Sequence, residues 1–99
     1  MIKNVKSAED LDFSNGKSLV VFSATWCGMC VMFAPEVEKF EKAHPEVTVY
    51  RVDVDENRQL AREYSVTSIP SYFVYDNGTQ VRNGVGFTTA SQLEKILGV

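Results

Sequence analysis

A run of four β-prone apolar residues, Leu19-Val20-Val21-Phe22, passes through Ser23-Ala24-Thr25 into Trp26-Cys27-Gly28-Met29-Cys30, and helical periodicity begins at Gly28. An apolar run without alternation is what a strand buried on both faces requires. Downstream of it Met32, Phe33, Val37 and Phe40 recur at helical spacing, with Glu36, Glu38, Lys39, Glu41 and Lys42 on the other side. The helix is predicted to end at His44-Pro45 and to kink at Pro35, which removes a backbone donor and crowds the preceding turn. Val47 to Val54 then alternates at period two, completing a strand, helix, strand unit of the parallel, right-handed kind. An α/β architecture follows, with a cysteine pair at its first strand-to-helix turn.

The flanking segments fit that frame. Ser7-Ala8-Glu9-Asp10 has the form of a capping box and predicts a short helix through Leu11 and Phe13, ending at Asn15-Gly16. Asp55-Glu56-Asn57 predicts the start of another through Leu60, Ala61 and Tyr64. Ser71 to Tyr75 and Gln80 to Arg82 flank Asp76-Asn77-Gly78-Thr79, a hairpin signal because Asn-Gly accommodates positive φ. A second capping box, Thr89-Ala90-Ser91-Gln92, precedes Leu93, Ile96 and Leu97. The predicted order is strand, helix, strand, helix, strand, helix, strand, strand, helix, a mixed central sheet covered by helices. With 99 residues the chain is expected to be one domain, residues 1–99, without repeat or linker.

Composition narrows the function. Ten basic against 13 acidic residues give a formal charge of −3, with no basic run to follow a phosphate backbone, so nucleic acid is a poor partner. No apolar stretch approaches the roughly 20 residues of a membrane span, and Met1 to Lys6 carries no apolar signal core. The expectation is a soluble, cytoplasmic protein in a reducing compartment, where two cysteines point to chemistry rather than to a scaffold.

A cysteine at a helix start meets unpaired N–H groups and the positive end of the helix dipole, both of which favour thiolate. Cys27 is therefore the expected nucleophile. Cys30, one turn on and deeper, is near enough for a disulfide and suits a resolving thiol. Zinc needs about four ligands, and His44 at the far end of the helix is a poor complement, so no metal is expected. Buried cysteines serving as small hydrophobes, and a cluster shared between two chains through the same pair, are the competing readings. Asn77-Gly78-Thr79 matches a glycosylation acceptor but reads better as a turn, and Gly84-Val85-Gly86 lacks the setting of a nucleotide loop.

Phe22 to Cys30, then Ala34-Pro35, Val52-Asp53-Val54-Asp55, Ser68-Ile69-Pro70 and Asn77-Gly78, in this order over nearly the whole chain, resembles the thioredoxin family. The resemblance implies a thioredoxin-like α/β fold, a mixed central β-sheet flanked by helices on both faces, and thiol-disulfide exchange through Cys27 and Cys30. It also implies a cis bond at Ile69-Pro70, facing the thiols. Trp26, Gly28, Met29, Ile69, Pro70, Val85 and Gly86 would form an apolar collar that docks client proteins, with Phe87 joining it or covering the last helix. No cofactor is expected to be bound; reducing equivalents would come from a thioredoxin reductase, an NADPH-dependent flavoprotein. Glutaredoxin-like or isomerase-like exchange, and a redox-gated binding module, are the alternatives.

Three departures accompany the resemblance. Gly28-Met29 stands where family members commonly have Gly-Pro, adding a backbone donor to the first helical turn. Val21 stands where many carry a buried Asp thought to assist proton transfer, so that role has no carrier here. Arg51 stands where a lysine often partners that Asp, and is expected to reach water or another acid.

Overall fold

A computed structural model describes residues 2–99. Strand β1 (Ile2–Val5) leads through a single 3-10 turn (Ala8–Asp10) to β2 (Lys17–Ser23), followed by helix α1 (Gly28–Ala43) and β3 (Thr48–Asp53). Helix α2 (Arg58–Glu63), the hairpin β4 (Ser71–Asp76) and β5 (Thr79–Val85), and helix α3 (Ala90–Leu97) complete the chain.

The five strands lie in the order β1-β3-β2-β4-β5, with β3 parallel to both β1 and β2 and β4 antiparallel to β2 and β5. β2 is central, which explains its unbroken apolar run: both faces are covered. Alternate side chains of a strand point to opposite faces. Leu19 and Val21 therefore pack with Phe33, Val37 and Phe40 of α1 and Leu93 and Leu97 of α3. Val20 and Phe22 pack on the opposite face with Val52, Leu60 and Ala61. Phe33, Phe40 and Leu93 are almost wholly buried, each contributing roughly 1.5–3 kcal/mol.

The Asn77-Gly78 turn has φ of 49° and 89°, the positive values expected of the hairpin. Thr89 and Gln92 cap α3 reciprocally: Thr89 Oγ1 accepts from Gln92 N–H at 3.2 Å, and Gln92 Oε1 accepts from Thr89 N–H at 2.9 Å. At its other end Lys17 Nζ donates to the carbonyl oxygens of Leu97 (2.7 Å) and Gly98 (3.3 Å), joining the helix terminus to the start of β2.

Two local expectations are corrected and a third is sharpened. The helix expected from Ser7 to Asn15 shrinks to the 3-10 turn, because side chains take the backbone groups a helix would use. Asp10 accepts from the N–H groups of Lys6 and Ser7, and Asp12 Oδ1 accepts from Ser14 N–H and Oγ. Phe13 meanwhile stacks on Tyr75 with ring centroids 3.7 Å apart. Helix α2 does start from the Asp55-Glu56-Asn57 segment, with Asn57 as its N-cap; Asp53 Oδ1 accepts from Asp55 N–H, and the Asn57 amide turns inward to donate to the carbonyls of Val5 and Asp53. Met32, assigned by spacing to the inner face of α1, is 65% exposed; the inward stripe is Cys30, Phe33, Val37 and Phe40.

Candidate active site

The C-terminal end of β2 hands the chain to α1 through a turn in which Cys27 N–H donates to the Ala24 carbonyl at 3.3 Å. Cys27 is the N-cap of α1, in extended conformation, and its sulfur accepts from the Cys30 N–H at 3.2 Å. The donor that reaches the sulfur thus belongs to Cys30, one turn into the helix, rather than to Met29. Both thiols are free and buried, and they pack with Ala24 beneath Val54 and Ile69. Burial, followed by the hydrogen bond with Cys27, pushes the Cys30 thiol up to about 11.

β4 brings the other half of the site. Its antiparallel register sets Ser71 opposite Phe22, so the segment before Ser71 arrives beside the thiols. The Ile69–Pro70 peptide is cis, and the Ile69 carbonyl lies 3.8 Å from Cys27 Sγ, where it accepts from the thiol. Val85 pairs with Ser71, and Gly86, at φ 98°, donates its N–H to the Pro70 carbonyl at 2.7 Å. Ile69, Pro70, Val85 and Gly86 are thereby gathered in one place, although they come from the two separate segments that precede β4 and end β5.

These residues form two layers. Trp26 (69%), Met29 (51%) and Val85 (66%) are exposed, as is Gly28, whereas Ile69 and Gly86 are half-buried and Pro70 is buried. Val31 and Met32 extend the exposed apolar surface along α1, an extension the helical spacing did not reveal. Phe87 is 41% exposed and sits edge-on to Phe33 of α1 with centroids 6.3 Å apart. A further residue emerges from the structure alone: Asp55, whose carboxylate accepts from the Trp26 indole N–H at 2.7 Å. Behind Cys30, Val21 faces its strand partner Arg51, which pairs with Glu38 at 3.9 Å.

The sequence matches the Thioredoxin family model over residues 3–98. The chain belongs to the thioredoxin family. Among curated relatives it is 39% identical over 95 residues to Thioredoxin-2 of Saccharomyces cerevisiae, covering 92% of this chain and 91% of the relative. It is 37% identical over 98 residues to Thioredoxin of Staphylococcus epidermidis, covering 98% and 94%. Among solved structures, Fasciola hepatica thioredoxin superposes with a TM-score of 0.88 at 33% identity, over 97% of this chain and 96% of that one. Oxidised mitochondrial thioredoxin 3 of Saccharomyces cerevisiae gives 0.87 at 30% identity, over 98% and 93%. As a thioredoxin-family protein with a free Cys27/Cys30 pair, this chain is a thiol-disulfide oxidoreductase acting on protein disulfides. Among the described residues no helix is long and apolar enough to cross a membrane.

Proposed function

We propose that the protein is a cytoplasmic dithiol carrier in which Cys27 attacks a client disulfide and Cys30 resolves the product. The asymmetry of the two sulfurs carries this reading. Cys27 caps the helix with an N–H donor on its sulfur, next to an exposed apolar rim, while Cys30 lies one turn into the helix with its thiol pushed up to about 11. A sulfur at the rim reaches an incoming disulfide; a protonated inner thiol does not compete for it.

Attack by the Cys27 thiolate breaks the client S–S bond, releases one client thiolate and leaves Cys27 in a mixed disulfide. Cys30, as thiolate, then attacks the Cys27 sulfur. The Cys27–Cys30 bond forms and the second client thiolate departs, so the client gains two electrons and the carrier loses two. Trp26, Gly28, Met29 and Val85 supply the apolar rim for the client, and Ile69, Pro70 and Gly86 its inner wall, with the Ile69 segment able to pair with an extended client strand. No bound cofactor enters these steps. An NADPH-dependent flavoprotein, a thioredoxin reductase, would return the carrier to its dithiol form.

Insulin reduction coupled to NADPH and a thioredoxin reductase tests the reading. Turnover is expected for the wild type and none for Cys27→Ser, while Cys30→Ser accumulates mixed disulfides with insulin. Dependence on glutathione alone would place the protein with the glutaredoxin-like exchangers, and absence of turnover would leave a redox-gated binding module.

A further inference from the structure

Val21 and Arg51 are partners across the β2–β3 pair, on the face of the sheet that α1 covers. Between these strands and the helix lies a cavity of about 20 Å³, whose lining includes Val21, Ser23, Cys30, Ala34 and Arg51. That volume takes about one water molecule. Its lining residues include Cys30, Ser23 and Arg51, and none is a carboxylate.

The cavity sits where the reaction needs a proton acceptor. Cys30 is only 5% exposed, yet its proton must leave before its sulfur attacks the mixed disulfide. We propose that the cavity holds the water that takes the Cys30 proton, and that Arg51 is the charge that stabilises the thiolate left behind. The proposal rests on the assignment of Cys30 as the resolving thiol. The proton passes from Cys30 Sγ to the water and out to solvent past the half-buried Arg51. The electron pair left on sulfur forms the Cys27–Cys30 bond, and the Cys27–client bond breaks to release the client thiolate.

The surrounding charges leave Arg51 this role. Cys27 is neutral while its sulfur is tied to the client. Asp53, two residues along β3, directs Oδ1 at the N–H of Asp55 (2.8 Å) and of Glu56 (3.4 Å). Glu38 on α1 faces Arg51 at 3.9 Å and partly offsets its charge. Removing Glu38 should therefore act in the opposite direction to removing Arg51.

Stopped-flow mixing of the reduced protein with a chromogenic aromatic disulfide separates the steps, because attack by Cys27 releases one coloured thiolate and resolution by Cys30 the second. Arg51→Met keeps the aliphatic stem and loses the charge. It is expected to slow the second release roughly three- to tenfold near neutral pH and to move its midpoint up by about half to one pH unit, with the first release unchanged. Arg51→Lys should restore most of the rate, and Glu38→Gln should speed the second release and lower its midpoint. Val21→Ile, which adds a methylene to the cavity wall, should slow the second release alone. A second release in Arg51→Met with wild-type rate and midpoint, or equal slowing of both releases, overturns the role of Arg51. Wild-type resolution in Val21→Ile overturns the role of the water. Failure of the first release in the wild type would instead remove Cys27 as the attacking thiol.

Discussion

The indole nitrogen of Trp26 donates a 2.7 Å hydrogen bond to the carboxylate of Asp55, tying the residue before the thiol pair to the turn after β3. An indole that is 69% exposed has little packing to orient it. The hydrogen bond supplies what packing does not.

Asp55→Ala should therefore leave the reaction with a small disulfide unchanged but raise KM for a protein client about two- to fivefold, with little change in kcat. Asp55→Asn should retain most of the wild-type behaviour. Steady-state insulin reduction and the fluorescence anisotropy of Trp26 would check this; an unchanged KM with a freely rotating indole would mean that its orientation does not matter for docking.

Cys30 gives a prediction in the alkaline range. Its thiol is pushed up to about 11, chiefly by burial, against an ordinary value of 9.0. The thiolate is thus disfavoured in the folded chain, and stability present below pH 9 is lost as pH rises toward 11, where the unfolded chain has already released the proton. In Cys27→Ser, alkylation of Cys30 should stay slow through pH 9 and accelerate only near 11. A midpoint at or below 9 would show that the thiol is not desolvated.

How far these features could be read in advance depends on whether they are local. The buried β2 run, the Asn77-Gly78 turn and the Thr89/Gln92 cap each express a preference within a few residues, and all three appear as predicted. Leu11 and Phe13 follow a capping box too, but Phe13 stacks on Tyr75, and no pattern near Phe13 announces that contact. The same holds for the site. Cys27 and Cys30 announce themselves by spacing, whereas the Asp55 bond to Trp26 spans 29 residues and needed the fold to become visible.

His44 supplies a pH-dependent link between two helices. It is the C-cap of α1, and its Nε2 lies 2.6 Å from Glu94 on α3, with Glu46 at 3.4 Å from Nδ1. The hydrogen bond with Glu94, aided by Glu46, raises its pKa above the usual 6.5. A raised value means that the folded chain holds the proton more tightly, so this stabilisation is complete below pH 6.5 and fades as pH climbs through the folded value. Urea denaturation from pH 5.5 to 8.5 should show His44→Gln losing most, relative to wild type, at the acid end. A constant difference across that range would mean that the ring acts by packing on Phe40 alone.

Gly84 is held by a neighbour rather than by its own conformation. It pairs with Tyr72 across the hairpin, and a Cβ at Gly84 would fall within the Tyr72 ring, itself buried at 8% exposure. Gly84→Ala should destabilise the protein by about 1–3 kcal/mol, measured by thermal or urea unfolding. The Tyr72→Leu background should reduce that penalty, and an equal penalty in both backgrounds would place the cost elsewhere.

The antiparallel pairing of β2 with β4 has a consequence for how the thiols come into being as reagents. The Ile69 carbonyl that meets Cys27 lies 42 residues away along the chain, and only the Phe22–Ser71 register delivers it. A slip of one residue in that register would turn the inward side chains of β4 to the wrong face. Cys27 and Cys30 are neighbours in any unfolded chain, but the Ile69 carbonyl reaches Cys27 only in the completed sheet. On the proposed division of labour, the difference in reactivity between the two sulfurs would be a chemical readout of long-range folding, one that selective alkylation can follow in real time.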